Sequence, residues 1–240
     1  MADAAAREPL VIDCETARSD SWSVERLRRL VDRKLRNPVL DLIEVRRREL
    51  GGLSPFTLHS SYEGTNAHAG EAFVTPKTIS LPRRYGRVLY SISVELRPRL
   101  TLEAGAGLGI SGMYLAAGTS LTRTGRFLSF EIGEYAPVAE ESIRRVLPTA
   151  EVRQDDFANF HRHLTPMASV DLCFLDSKHD ADTVLRDYKS LLGWMRPGGV
   201  IMIDDVRSTP SSQRAWEMIL ARGDRAFAAC IQNRIGFLAA

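Results

Sequence analysis

The 240-residue sequence lacks several features that mark specialised classes of protein. Its three cysteines, Cys14, Cys173 and Cys230, cannot all pair and no spacing suggests zinc, so we expect a reducing, cytoplasmic location. No run of about 18 apolar residues could cross a membrane, and the N-terminus lacks the basic flank and apolar core of a signal peptide. The formal net charge of +2 gives no reason to expect nucleic-acid binding, and the charged residues 44–49 are interpreted as a solvated helix face.

The sequence does contain a glycine-rich turn in residues 102–116, between an apolar strand and a helix-like run. Glycines allow backbone conformations that are closed to other residues, and they let a ligand approach the main chain. The acid that ends the strand would repel a phosphate but suits an ammonium or sulfonium group. The dinucleotide fingerprint needs its third glycine at position 110, where this chain has Ile110. The residues of this candidate binding turn are Glu103, Gly105, Ala106, Gly107, Gly109 and Ser111.

Four further predicted strands follow, and an acidic residue comes at or just after the end of each. Glu131 lies where an acid accepts hydrogen bonds from ribose hydroxyls in nucleotide-binding α/β folds. Ligands bind outside the carboxyl ends of the strands in open parallel sheets, so we expect these acids to converge on one cleft. They are Glu103, Glu131, Asp156, Asp176, Asp204 and Asp205. Residues 225–230 and 234–239, separated by Gln232 and Asn233, predict a terminal hairpin.

The E-x-G-x-G-x-G motif and the order of the strands and acids resemble class I S-adenosylmethionine-dependent methyltransferases. Over about residues 75–240 the chain is similar to the bacterial O-methyltransferases related to catechol O-methyltransferase. The resemblance implies an α/β, Rossmann-like fold whose seven-stranded, mostly parallel sheet ends in the antiparallel hairpin. It also implies that S-adenosylmethionine (SAM) is the cofactor, with its methionine end at Glu103 and the glycine turn. Ribose would lie at Glu131 and Ile132, and adenine at Asp155, Asp156 or Phe157, of which the sequence does not select one.

The same resemblance implies a metal site. In the catechol enzyme and its relatives three acidic or amide side chains hold a magnesium ion, and these positions fall on Asp176, Asp204 and Asp205. Carboxylates crowded together without a cation would repel one another, and a hard oxygen donor set suits Mg²⁺. The alternative is that Asp176 binds the amino group of the cofactor and the adjacent pair only caps the strand.

Methyl transfer to a hydroxyl group also requires removal of a proton. The catalytic lysine of the catechol enzyme aligns with His179, three positions after Asp176, and many bacterial relatives carry histidine there. Histidine titrates near neutrality and can accept a phenolic proton. Lys178 is the neighbouring candidate. The alternative is that His179 only orients the helix that begins near Asp180.

Residues 1–75 form a predicted N-terminal helical arm and lid, ahead of a catalytic domain at residues 76–240. Residues 1–21 are expected to be poorly ordered at their start. Apolar spacing in residues 23–50 predicts two helices separated by Pro38. Residues 53–75, which include His59 and His68, read as a loop that serves as a substrate lid, a dimerisation arm or both. An amphipathic helix is predicted at residues 84–96.

The sequence therefore predicts an O-methyltransferase that acts on a small-molecule hydroxyl acceptor, forms a homodimer and binds neither nucleic acid nor membranes. Three other interpretations remain open at this point. One is a metal-free methyltransferase that acts on an amine, a protein or an RNA. Another is an NAD-dependent oxidoreductase, which Glu103 and Ile110 disfavour. The third is a noncatalytic cofactor-binding subunit, which would not need the three aspartates.

Overall fold

A mixed eight-stranded sheet forms the centre of the computed structural model, which describes residues 9–60 and 72–239. The strands are β1 (Ile12–Ala17), β2 (Phe56–Thr57), β3 (Phe73–Val74), β4 (Leu100–Ala104), β5 (Arg126–Phe130), β6 (Glu151–Arg153), β7 (Val170–Leu175), β8 (Met195–Ile203), β9 (Phe227–Ile231) and β10 (Ile235–Ala239). The helices are α1 (Val24–Val31), α2 (Pro38–Leu50), α3 (Arg83–Leu96), α4 (Ile110–Thr119), α5 (Ala136–Arg144), α6 (Ala181–Leu191) and α7 (Pro210–Ala221), with a 3-10 helix at Phe157–His163.

The strand order in the sheet is β1-β9-β10-β8-β7-β4-β5-β6. Strands β4 to β8 run parallel, whereas β10 pairs antiparallel with both β8 and β9. Helices α1 to α5 contribute to the core on one face of the sheet, and α6 and α7 to the core on the other. Because both faces are covered, every residue of β4 and β7 is buried. The predicted α/β class and C-terminal antiparallel hairpin are confirmed.

The hairpin turn has the geometry that its sequence suggested. Gln232 and Asn233 both have positive φ angles, 52° and 54°, as a two-residue turn between antiparallel strands requires. This turn brings the start of β10 beside the residues that follow β8, since the Val206 N–H donates to the Arg234 carbonyl oxygen at 2.9 Å.

Strand β1 is an element that the sequence analysis missed, so the sheet has eight strands rather than the predicted seven. It lies at the edge of the sheet and pairs antiparallel with β9. Arg207, which follows β8, contacts Asp13 at 3.1 Å and Glu15 at 2.6 Å. The strand IDCETA has only Ile12 fully buried, so the period-two pattern that would have indicated a strand is absent. Backbone pairing with β9 and the ion pairs with Arg207 hold β1 in the sheet instead.

The predicted helices of the N-terminal arm are confirmed. Asn37 caps α2 by accepting the Val39 N–H at 2.9 Å, and Pro38 occupies the first turn, where its missing N–H costs nothing. In the predicted loop at 53–75, β2 and β3 pair antiparallel, and residues 61–71 between them lie outside the described residues. The predicted lid residue His68 is among these.

The interpretation of residues 44–49 as a solvated helix face is wrong for Arg46, which is only 6% exposed. Its Nε donates to the Ser142 hydroxyl at 2.9 Å, and its Nη1 lies 3.2 Å from Glu49 and 3.1 Å from Glu141. Since Ser142 and Glu141 belong to α5, this guanidinium fastens α2 to α5.

We therefore expect Arg46→Met to lower the free energy of unfolding by about 1–3 kcal/mol. The reason is that Ser142, Glu49 and Glu141 all lose the buried guanidinium that contacts them. Arg48→Met, on the exposed face of the same helix, is the matched control and should change stability by less than about 0.5 kcal/mol. Urea unfolding followed by circular dichroism measures both. Equal effects of the two substitutions would show that Arg46 does not fasten α2 to α5.

Candidate functional site

A cavity of about 540 Å³ lies at the carboxyl ends of the parallel strands, beneath residues 77–82. It brings together the glycine turn after β4, the loop after β7 and the end of β8. Of the predicted site residues, those that line it are Gly105, Ala106, Gly107, Ser111, Glu131, Asp176, Lys178, His179, Asp204 and Asp205. Most of the expected convergence is therefore observed.

The glycine turn needs its glycines for two separate reasons. Gly105, Gly107 and Gly109 all have positive φ angles, of 83°, 51° and 85°. In addition, a Cβ atom on Gly105 would lie 2.0 Å from the carbonyl oxygen of Asp176. Glycine is thus required both by backbone conformation and by the close approach of the loop after β7. The result is a wall of bare backbone on one side of the cavity.

Glu131 holds this turn in place from the end of β5. Its Oε2 accepts the Gly107 N–H at 2.7 Å, and its Oε1 accepts the Gly133 N–H at 2.8 Å. Burial raises the pKa of the carboxyl group, and the hydrogen bonds from backbone amides oppose that rise. The side chain is 4% exposed but lines the cavity where ribose was predicted, so it combines a structural contact with a place in the cavity wall.

The structure corrects the predicted role of Glu103, which does not line the cavity. Its side chain has no exposed surface and lies under α4, where a Cβ on Gly112 would meet Oε2 at 2.8 Å. The Ser129 hydroxyl donates to Oε2 at 2.7 Å, and Oε1 has no partner among the described residues. Burial raises the pKa of this carboxyl group to about 7. Glu103 thus lies beneath α4, bonded to Ser129, and outside the lining of the cavity.

The residues predicted to hold adenine also lie outside the cavity. Asp156 caps the 3-10 helix through the Ala158 N–H at 2.8 Å and pairs with Arg186 at 2.9 Å. Phe157 is buried and stacks on Phe160 at 5.1 Å between ring centroids. The remaining predicted cofactor residues that do not line the cavity are Gly109, Ile132 and Asp155.

The imidazole of His179 lies close to two carboxylates in the lining of the cavity. Its Nε2 lies 3.6 Å from Asp176 Oδ1 and 3.7 Å from Asp205 Oδ2, which is too long for hydrogen bonds but close enough for both carboxylates to attract a ring that has gained a proton. Lys178, the neighbouring candidate, instead directs its Nζ toward Asp180 at 3.7 Å. The geometry therefore favours His179 over Lys178 as the group that handles protons beside the aspartates.

The backbone explains why the aspartates meet. The Asp176 N–H donates to the Ala104 carbonyl oxygen at 2.8 Å, and the Asp204 N–H donates to Leu175 at 2.9 Å. Asp205 has a φ of 53°, an unusual conformation for a residue other than glycine that turns its side chain back into the cavity wall. Burial and the nearby Asp204 raise the pKa of both Asp176 and Asp205, while Arg234 lowers it.

Arg234 is the functional residue that the sequence analysis missed. Its Nε and Nη2 donate to Oδ1 and Oδ2 of Asp204 at 2.8 and 2.6 Å, which makes a bidentate ion pair. The Asp204 carboxylate is almost completely buried. Nε also lies 3.3 Å from Asp205, and the guanidinium stacks over the Tyr85 ring at 4.9 Å. Thirty residues separate Arg234 from Asp204, and only the hairpin geometry reveals the pairing.

This arrangement does not fit the predicted magnesium site. Both oxygens of Asp204 are engaged by Arg234, and those of Asp176 and Asp205 nearest the cavity face His179. Within residues 9–60 and 72–239, no group of three or more histidine, cysteine or acidic side chains is arranged to hold a metal ion. Asp176, Asp204 and Asp205 lie together as predicted, but the positive charge beside them is that of the Arg234 guanidinium.

A family model described as a methyltransferase domain matches residues 102–206. The chain is also similar to the O-methyltransferase TomG of Streptomyces achromogenes, which is involved in tomaymycin synthesis and was solved with SAM. The two are 18% identical, 85% of this chain and 89% of that chain are covered, and the TM-score is 0.57. A search among curated proteins found no match.

Two other solved structures show the same fold. An O-methyltransferase from Bacillus cereus, solved with S-adenosylhomocysteine (SAH), is 19% identical over 92% of this chain and 99% of that chain, with a TM-score of 0.56. A methyltransferase from Geobacter sulfurreducens is 15% identical over 90% and 98%, with a TM-score of 0.57. The predicted Rossmann-like methyltransferase fold is confirmed.

The raised pKa of Glu103 predicts a specific pH dependence of stability. A carboxyl group whose pKa is near 7 when folded and 4.5 when unfolded favours the native state below pH 4.5, and this contribution is lost as the pH rises to about 7. The expected loss is about 3 kcal/mol. Glu103→Gln, which stays uncharged, should therefore gain stability relative to the wild type between pH 5 and pH 8 by roughly that amount.

Urea unfolding of the ligand-free protein at several pH values measures this difference. Glu217→Gln, on the exposed face of α7, is the control for replacing any glutamate and should keep a constant offset from the wild type. A constant offset for Glu103→Gln as well would mean that its carboxyl group titrates normally.

Proposed function

We propose that this chain, which carries a methyltransferase domain at residues 102–206, transfers a methyl group from SAM to a hydroxyl group of a small molecule. The observation that carries the proposal is the shared cavity, whose lining includes both the bare backbone of the glycine turn and His179. Its volume of about 540 Å³ suits a small acceptor beside the reactive end of a cofactor.

The cofactor would supply a methyl group on a positively charged sulfur, which is electrophilic. Gly105 and Gly107 present backbone to the cavity without side chains, and Ser111 and Glu131 add polar groups at its wall. This combination fits a ligand that has both amino-acid and ribose groups. We assign the methionine end to the backbone of the turn and the ribose to Glu131, whereas Glu103 acts beneath the turn.

Transfer to a hydroxyl group releases one proton, and His179 is the group placed to accept it. A ring that gains a proton becomes a cation, and the carboxylates of Asp176 and Asp205 near Nε2 stabilise that charge. The structure thus supports a histidine base that is assisted by two aspartates.

The acceptor side of the cavity is formed partly by the N-terminal arm. Leu58 and Val74, both from the predicted lid, line the cavity together with Leu81. All three are buried and apolar, which favours an acceptor with an apolar body. We propose that residues 53–75 contribute to acceptor selection. Homodimerisation stays a prediction, which sedimentation of the purified protein measures.

No helix of the described residues combines the length and the apolar character needed to cross a membrane.

Glu131→Ala should weaken SAH binding roughly 10- to 100-fold, which corresponds to about 1.5–3 kcal/mol for the loss of charge-assisted hydrogen bonds. Isothermal titration calorimetry with SAH and with adenosine separates the two roles of this carboxylate. A loss for both ligands supports ribose contact, whereas a loss for SAH alone would show that Glu131 acts only by shaping the glycine turn. Glu134→Ala, at an exposed neighbouring position, is the control and should bind both ligands normally.

His179→Ala should lower the turnover rate by roughly 10²–10⁴-fold, the usual contribution of general base catalysis, and leave SAH affinity nearly unchanged. The assay follows SAH formation with a series of phenols of increasing acidity. The loss should shrink for the more acidic phenols, because these need less help to ionise.

His161→Ala is the matched histidine control, since this residue lies on the 3-10 helix and does not line the cavity. Comparison of melting temperatures excludes a stability effect. A folded His179→Ala protein with normal turnover for every phenol would remove His179 from the mechanism.

A further inference from the structure

The fixed positive charge of Arg234 lies where the sequence predicts a metal ion. Two of its nitrogens donate to the two oxygens of Asp204, and one of them also lies 3.3 Å from Asp205. The stack on Tyr85 at 4.9 Å holds the guanidinium from the side of α3. Three elements, β10, the end of β8 and α3, therefore fix one cation beside the aspartates.

A guanidinium group and a divalent cation would bind the same carboxylate oxygens of Asp204. Mg²⁺ binds carboxylate oxygens at about 2.0–2.1 Å and needs near-octahedral space around it. A planar guanidinium that pairs with both oxygens of a carboxylate takes one lone pair on each and puts its positive charge where an ion bound by both oxygens would lie. Binding of the ion at Asp204 would therefore require Arg234 to break two ion-pair contacts and its ring stack.

The positive charge that remained would also oppose the ion. If Arg234 stayed nearby, a dication within a few ångströms would be repelled in a site where Asp204 is 2% exposed and solvent screening is weak. Among the described residues, Arg234 is the cation whose nitrogens contact both oxygens of Asp204.

We propose that Arg234 takes the place of a divalent metal ion at the Asp176–Asp204–Asp205 cluster, so that methyl transfer by this chain does not depend on a metal. Only the second part of this inference, that methyl transfer does not depend on a metal, rests on the proposed function. Arg234 is a positioning residue, since it neutralises and orients the aspartates, and removal of the acceptor proton falls to His179.

The first experiment measures metal binding directly and does not require activity. Mn²⁺ replaces Mg²⁺ as a probe, and the electron paramagnetic resonance signal of free Mn²⁺ reports how much is bound. The wild type should bind no Mn²⁺ at the cluster. Arg234→Gln, which leaves the aspartates uncompensated, should bind Mn²⁺ with a dissociation constant at least about tenfold below the weakest binding that the wild-type titration can detect.

Two further variants act as controls. Arg234→Lys keeps a positive charge and should not gain Mn²⁺ binding. Arg207→Gln removes another arginine that bridges two acids, Asp13 and Glu15, outside the cavity, and it should also leave Mn²⁺ binding unchanged. Circular dichroism and SAH binding establish that each variant is folded.

Two outcomes overturn the proposal. One is stoichiometric Mn²⁺ binding by the wild type that is lost in Asp204→Asn, which would restore the metal site predicted from the sequence. The other is a folded Arg234→Gln protein that binds Mn²⁺ no better than the wild type, since the arginine would then not be excluding the ion. The wild-type titration decides the first point even if Arg234→Gln does not fold.

The second experiment tests the catalytic part. After exhaustive dialysis against a chelator, the wild type should methylate phenols at an unchanged rate, and added Mg²⁺ should not increase it. Loss of turnover with the chelator and its return with Mg²⁺ would contradict metal independence. Failure of SAH to bind, or of every phenol to react with and without Mg²⁺, would instead contradict the proposed function, and the Mn²⁺ result would still stand.

Discussion

The close contact between the glycine turn and the loop after β7 is the constraint on which the site depends. Gly105 has no room for a side chain, because its Cβ would lie 2.0 Å from the Asp176 carbonyl oxygen. The Asp176 N–H in turn donates to Ala104 at 2.8 Å, so the two segments are joined at the end of their strands. One cavity can therefore hold both a backbone surface for a ligand and, three residues after Asp176, the imidazole of His179. A larger residue at position 105 would push the glycine turn away from the loop after β7, and with it the backbone surface away from His179.

Charge is the second constraint, and it connects distant parts of the chain. Asp176, Asp204 and Asp205 are held together by neighbouring strands, and burial raises the pKa of Asp176 and Asp205. Arg234 reaches them only because the hairpin returns β10 alongside β8, and Tyr85 of α3 supports it from the other side. The terminal hairpin is thus part of the site as well as of the sheet. Its position explains how the antiparallel part of the sheet supplies a charged side chain to the carboxyl ends of the parallel strands.

The sequence predicted what depends on local pattern. The helices at Pro38–Leu50 and Arg83–Leu96, the terminal hairpin and the convergence of acids followed from apolar spacing, turn residues and the rule for parallel sheets. It could not predict contacts set by tertiary geometry. Glu103 was placed in the cavity because its position in the chain suited that role, but the direction of its side chain carries it under α4. Strand β1 and the buried Arg46 were missed because backbone pairing and long-range ion pairs leave no periodic signal.

The proposed replacement of an ion by a guanidinium would also affect which acceptors the site selects. A divalent ion has several open coordination positions and favours a molecule that offers two adjacent oxygens to it. The donors of Arg234 are directed at carboxylates and offer no such positions, so they give no advantage to a neighbouring pair of hydroxyls. Selection then depends on the apolar wall formed by Leu58, Val74 and Leu81 and on the distance from a single hydroxyl group to His179. Shape and proton transfer, rather than chelation, would decide which hydroxyl is methylated.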